Sequence, residues 1–174
     1  MDISIIIFLL GGLFLGWSLG ANDAANVFGT AVGTRMVRFK TAAIVCSIFV
    51  ILGAIISGAG TTETLGKLGA INALPGAFAA CVAAGLSVYL MTKVGLPVST
   101  TQAIVGAIVG WNLYTGSATN IKVLITILGT WVLCPVIAGL IAMGFFTLTK
   151  NFILKRKIHI LRLDAYTRTA LLLA

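Results

Sequence analysis

Charge is scarce in this chain. Of its 174 residues 9% are charged, four are acidic and one is a histidine. A soluble domain of this size needs far more polar surface to cover its core, so a water-soluble globular protein is excluded. The acids, Asp2, Asp23, Glu63 and Asp164, are far apart, and no nucleophile neighbours the single histidine. That leaves no general acid–base pair and argues against an enzyme. Cys46, Cys81 and Cys134 are odd in number, widely spaced and set in apolar sequence, so they read as small buried hydrophobes, not as a disulfide or metal framework. His159 lies in a basic tail and reads as a solvated or headgroup-facing side chain.

What is present is oil and glycine. Hydrophobic residues make up 59% of the chain and the mean hydropathy is +1.11, the composition of an integral membrane protein. Twenty glycines fit close-packed and broken membrane helices; a β-barrel would alternate apolar and polar residues instead. The expected class is therefore an all-α polytopic helical bundle in the cell membrane, with lipid as one partner. The net charge of +8 would suit nucleic acid, but the basic residues sit between or after apolar segments, as the positive-inside rule requires. Nucleic acid is excluded as a partner.

The first apolar run, residues 3–19, has Asp2 before it in place of a basic n-region, and it reads as a retained helix, not a signal peptide. Residues 3–33 are too long for one straight span of about 20 residues, so a break is expected near residues 20–23. A second span is expected over residues 41–56, ending in the polar, glycine-rich connection "SGAGTTETLGKLGAINALPG", in which Glu63 and Lys67 read as a solvated pair. A third covers residues 76–91. After it comes "KVGLPVSTTQAIVGAIVGWNLYTG", where Pro97 opens a short apolar stretch. The last long run, residues 121–149, contains Pro135, which should kink or divide it. Residues 1–149 thus form a transmembrane repeat, and residues 150–174 a basic cytoplasmic or interfacial tail.

Arg35, Arg38 and Lys40 after the first element, and Lys150, Lys155, Arg156, Lys157 and Arg162 after the last, put both flanks in the cytoplasm. Parity then closes in two ways. Either residues 76–91 and 98–111 each cross the membrane, or together they form a re-entrant hairpin, with Lys93 at the joint needing an anion or a wet cavity.

Two polar islands stand out. The first is "GWSLGANDAANVFGTAVG", residues 16–33, in which Asn22, Asp23 and Asn26 cluster with Thr30 one helical turn on. One carboxylate, two amide oxygens and the carbonyls of an unwound helix make a hard-oxygen set suited to a small monovalent cation such as sodium, with Asp23 and Asn26 as its metal ligands. The second is "GLPVSTTQ", residues 95–102. Pro97 suits a first helical turn, and Ser99, Thr100 and Thr101 can cap it, leaving backbone N–H groups and a positive dipole end for an oxyanion. The bland alternatives are hydroxyls and amides bonding across to neighbouring helices, and Gly29/Gly33 and Gly106/Gly110 as packing faces. Asp23 is hardest to explain that way, because an intramembrane carboxylate is costly unless it holds something.

"GANDAANVFGTAVG", residues 20–33, resembles the signature of the inorganic phosphate transporter family, the sodium- or proton-coupled phosphate symporters. "GLPVSTTQAIVGAIVG", residues 95–110, is similar to the second signature of the same repeat. The resemblance covers about the whole chain and implies a secondary carrier built of two inverted repeats. It further implies that Asn22, Asp23, Asn26 and Thr30 hold sodium, that Ser99, Thr100, Thr101, Gln102 and Asn22 reach phosphate, and that no cofactor is needed. Gln102 stands where many relatives carry histidine, which favours sodium over proton coupling. Only one GAND-like motif is present. The expectation is therefore one half of an inverted-repeat transporter, needing the second repeat or a second copy, with homo-oligomerisation expected. The rival readings are a proton-coupled phosphate or sulfate permease on the same scaffold, and a non-transporting assembly or receptor subunit.

Overall fold

A computed structural model describes residues 3–69, 74–151 and 160–173. The tail residues Lys155, Arg156, Lys157 and His159, and Asp2 at the start, lie outside the described residues. Every described element is helical. In order they are α1 (Ile3–Gly33), α2 (Phe39–Leu68), α3 (Leu74–Lys93), α4 (Thr100–Thr115), α5 (Ile121–Thr149) and α6 (Ile160–Leu173). Four of the described helices, α1, α2, α3 and α5, are long and apolar enough to cross a membrane. The chain forms two compact units, residues 1–123 and 124–174.

In the first unit α1 is continuous for 31 residues, about 46 Å at 1.5 Å per residue. The expected break at residues 20–23 does not occur. A glycine inside a helix costs only about 1 kcal/mol, and the polar side chains that suggested unwinding find partners on another element, so the α1 backbone ladder has no reason to open. α2 likewise runs past residue 56 to Leu68. Its polar half stays helical because Thr62 and Thr64 return their hydroxyls to the carbonyls of Gly58 and Gly60, at 2.9 Å each, and Lys67 pairs with Glu63 one turn back at 2.5 Å. The solvated pair foreseen in a loop is thus an i,i+4 pair on a helix.

α3 runs parallel to α1. Phe8 meets Phe78 edge-on at 5.8 Å, Gly85 lies against Phe14, Trp17 packs on Tyr89 at 5.5 Å, and Asn22 meets Thr92, so contacts advance together along both helices. After Lys93 the chain turns at Gly95, whose φ of 78° needs a residue without Cβ, and continues extended through Pro97 to Ser99. α4 then returns antiparallel along α3, so that Trp111 covers Gly76 at the far end. Pro97 therefore lies in the extended strap and not in the first turn of α4. Ser99 is the N-cap, its Oγ accepting from the Gln102 N–H at 3.3 Å. At the other end Gly116, in the left-handed region at φ 68°, closes α4 with its N–H on the Asn112 and Leu113 carbonyls.

Both feet of the α3–α4 hairpin lie at one end of α1, and its tip stops beside Asn22, four residues past the helix midpoint at Ser18. From Asn22 to Gly33, α1 continues about 16 Å at 1.5 Å per residue. The feet are tied to α2: the Asn120 N–H donates to the Leu68 carbonyl at 3.0 Å, and fully buried Asn112 donates to Thr119 Oγ1 at 3.0 Å while its amide presses on Gly69. A Cβ at Gly69 would come within 2.7 Å of the Asn112 Cγ. Asn112 has no room to yield, so Gly69→Ala is expected to cost about 2 kcal/mol, read as a lower unfolding temperature in detergent.

In the second unit α5 is one helix through Pro135, which does not divide it. α6, of 14 residues, carries an Arg168–Asp164 ion pair at 2.9 Å on its own surface.

Candidate ion and oxyanion site

The two polar islands meet at the hairpin tip. Thr100 Oγ1 donates to Asp23 Oδ2 at 3.3 Å, joining motifs 77 residues apart in sequence. Asn22 Nδ2 donates to Asp23 Oδ1 at 2.8 Å and to the Val98 carbonyl at 2.5 Å. Its Oδ1 accepts from Thr92 Oγ1 at 3.3 Å and from the Val98 N–H at 3.4 Å. Asn22 is 3% exposed and Thr100 5%, whereas Asp23 is half-buried and open on one side.

The helical repeat explains the arrangement on α1. Residues 22, 26 and 30 lie four apart, so they share one side of the helix and step progressively around it. Asn22 is buried under the hairpin tip, while Asn26 and Thr30 are exposed beyond it. On α4, Thr100 is turned inward to Asp23, and Ser99, Thr101 and Gln102 are exposed at the helix start. Of the residues singled out in the sequence, Asn22, Asp23 and Thr100 are thus brought into contact. Ser99, Thr101 and Gln102 flank them on α4, and Asn26 and Thr30 continue the same side of α1.

The chemistry available is asymmetric. Asp23 offers carboxylate oxygens with lone pairs to spare, a hard anionic ligand for a small cation. Ser99 occupies the Gln102 N–H, leaving the first N–H groups of α4 and the positive end of its dipole directed at the tip. Among the described residues no group of three or more His, Cys, Asp or Glu side chains comes together, and Asp23 brings a single carboxylate to the cluster. Lys93 ends α3 at the same level, with Nζ 5.3 Å from the Tyr89 ring centroid, a cation–π contact.

Sequence reasoning missed two contributors. Thr92 could have been noticed as a hydroxyl directly between the apolar run and Lys93. The Val98 backbone lies outside both helices, so its N–H and C=O find their partners on Asn22, a pairing no local sequence rule reveals.

A sequence profile described as the phosphate transporter family matches residues 19–171. A provisionally named phosphate permease of Thermococcus kodakarensis is 34% identical over 167 residues, covering 90% of this chain and 41% of that protein. A similarly named protein of Haemophilus influenzae is 34% identical over 82% of the chain and 36% of its own length. A sodium-dependent phosphate transporter of Plasmodium falciparum is 33% identical over 83% of the chain and 23% of its own length. Among solved structures, one described as the sodium-dependent phosphate transporter superposes with a TM-score of 0.80 at 32% identity, covering 90% of this chain and 41% of that one. The chain spans about two fifths of the length of the first of these relatives and of the solved structure.

Proposed function

This chain belongs to the phosphate transporter family, and from that premise we propose that it forms part of a sodium-coupled symporter of inorganic phosphate. The observation that carries the reading is the Thr100–Asp23 hydrogen bond, through which a cation ligand on one helix and an oxyanion-binding helix start on another share a single polar cluster inside an apolar bundle. The Plasmodium relative and the solved structure, each named for sodium dependence, support the choice of cation, as does Gln102, which offers no titratable ring at the helix start.

In this mechanism sodium binds at Asp23 first, with oxygens of Asn26 and Thr30 available on the same side of α1. Phosphate then docks on the start of α4, where Ser99, Thr101 and Gln102 are exposed. Two opposite unit charges about 4 Å apart are worth about 4 kcal/mol at an effective dielectric of 20, so each ion can raise the affinity of the other by up to roughly a thousandfold. The α3–α4 hairpin is read as re-entrant. Its feet share one end of the unit, its tip stops part-way along α1, and α4 has only 16 residues, about 24 Å at 1.5 Å per residue. A polar tip at that depth is what alternating access between two rocking repeats requires. Thr101, Gln102, Asn26 and Thr30, exposed here beside apolar helices, would be covered by further helices of the carrier, from a second repeat or a second copy of this chain.

Equilibrium phosphate binding to the intact carrier at saturating sodium tests the anion half of the site. The double substitution Ser99→Ala with Thr101→Ala is expected to weaken binding by roughly tenfold to a hundredfold, the worth of one or two hydrogen bonds to a charged ligand. Unchanged affinity would remove the α4 start from the site. Competition by sulfate in the same assay separates a phosphate carrier, little inhibited, from a general tetrahedral-oxyanion carrier, inhibited stoichiometrically.

A further inference from the structure

The hydrogen-bond inventory divides the neighbours Asn22 and Asp23. An asparagine side chain has two N–H donors and one oxygen with two lone pairs. In Asn22 the donors go to the Val98 carbonyl and Asp23 Oδ1, while the oxygen accepts the Val98 N–H and shares the single Thr92 hydroxyl proton, at 3.3 Å, with the Val88 carbonyl at 2.8 Å. With 3% of its surface exposed and both N–H groups committed, it has no donor for phosphate, and its oxygen is turned to Thr92 and the Val98 N–H. Asp23 has about four lone-pair sites on its two oxygens, and protein groups occupy two, Asn22 Nδ2 and Thr100 Oγ1.

The pattern around Val98 says what Asn22 does instead. The strap between α3 and α4 is extended, so its backbone has no ladder of its own, and an unsatisfied amide inside an apolar bundle costs several kcal/mol. Asn22 meets both the N–H and the C=O of one residue, as a neighbouring β-strand would. Aspartate could accept from the Val98 N–H but could not donate to its carbonyl, and it would put a second charge beside Asp23. Asparagine is the side chain that mimics a peptide group in both directions.

We infer that Asn22 is a positioning residue that docks the hairpin tip onto α1, with Thr92 as the third member of the dock, and that Asp23 alone of the adjacent pair acts as an ion ligand. The second half of this statement rests on the sodium-coupled reading above; the docking half does not. The dock sets where the first turn of α4 stands relative to Asp23, and therefore the spacing between cation and anion. The Thr92 hydroxyl has one proton, divided between the Val88 carbonyl at 2.8 Å and Asn22 Oδ1 at 3.3 Å, so it is the weaker tie of the dock.

The test needs a readout that follows the tip itself. A nitroxide placed by Leu96→Cys, at an exposed strap position, in the intact carrier with Cys46, Cys81 and Cys134 replaced by alanine, reports strap mobility by its electron spin resonance line shape without sodium or phosphate present. The parent is expected to show a slow component. Asn22→Ala should convert most of it to a fast one, and Thr92→Val should convert a smaller share, while Asp23→Asn keeps the slow spectrum because its amide oxygen still accepts from Thr100. In equilibrium sodium binding, Asn22→Ala should stay within about threefold of the parent and Asp23→Asn should lose more than about tenfold, or 1.4 kcal/mol. An unchanged Leu96 spectrum in Asn22→Ala overturns the docking role. A sodium-affinity loss in Asn22→Ala equal to that of Asp23→Asn overturns the division of labour. If Asn22→Ala does not accumulate in the membrane, Thr92→Val decides alone, a spectrum identical to the parent's counting against the dock. Absence of sodium binding in the parent would defeat the transport reading while leaving the spectrum to judge the dock.

Discussion

Asp23→Asn is expected to lower sodium-stimulated phosphate uptake by the intact carrier at least about a hundredfold while leaving its abundance in the membrane unchanged. The substitution keeps the volume of the side chain and an oxygen able to accept from Thr100 Oγ1, which now stands at 3.3 Å. What it removes is the charge, together with the second acceptor oxygen, which Asn22 Nδ2 now meets at 2.8 Å. A sodium ion a few ångströms from a carboxylate gains several kcal/mol in a partly wet site, and a neutral amide restores little of that. Insertion should not suffer, since an asparagine costs a membrane helix less than an aspartate. Measured as radiolabelled phosphate uptake at saturating sodium alongside an immunoblot of the membranes, uptake within twofold of the parent would take Asp23 out of the mechanism.

Gly85→Val is expected to have a comparably large effect by a different route. Gly85 is buried in α3 where that helix crosses α1. A Cβ there would stand 2.8 Å from Phe14 Cδ1 and 3.3 Å from the Leu15 Cα, and the second of these is backbone that cannot swing aside. Phe14 is itself held, stacked on Trp17 at 6.1 Å, with Trp17 packed on Tyr89. Valine adds two methyls beyond Cβ, so the helices must separate, at a cost on the order of 3 kcal/mol. The separation also draws Thr92 and Val98 away from Asn22, so sodium-dependent phosphate binding should be lost in whatever protein survives. Gly53→Val is the control: nothing lies within 4 Å of a Cβ built at Gly53, and both yield and binding should stay at parental levels. Equal behaviour of the two variants would mean that the α1–α3 contact does not position the site.

These outcomes depend on contacts of very different visibility in sequence. Ser99 as a helix cap, the α3 span and the helical, membrane-embedded class follow from local rules: a hydroxyl before an apolar run, a stretch of suitable length, a scarcity of charge. The continuity of α1 does not follow from them. Gly20, Asn22 and Asp23 together read as a helix breaker because a local rule sees polar groups with no partner, whereas the partner, Val98, is 76 residues away. The extension of α2 to Leu68 escaped for the opposite reason. Thr62, Thr64, Glu63 and Lys67 satisfy one another and their own backbone within single turns, so a segment that looks like a linker by composition is a helix by hydrogen bonding. The choice between two full spans and a hairpin was likewise invisible, because it depends on where the tip of α3–α4 stops along α1. Thr100 in the sequence could have been any capping hydroxyl; only the fold turns it, and not Thr101, toward Asp23.

In the proposed mechanism a cation at Asp23 and an oxyanion at the start of α4 bind as a coupled pair. The direct measurement is phosphate affinity of the purified intact carrier in detergent as sodium is raised in place of potassium at constant ionic strength. Phosphate is expected to bind at least about a hundredfold tighter in sodium than in potassium, and this difference is expected to disappear in Asp23→Asn. Equal phosphate affinity in sodium and potassium, or a sodium effect that persists in Asp23→Asn, would contradict this mechanism.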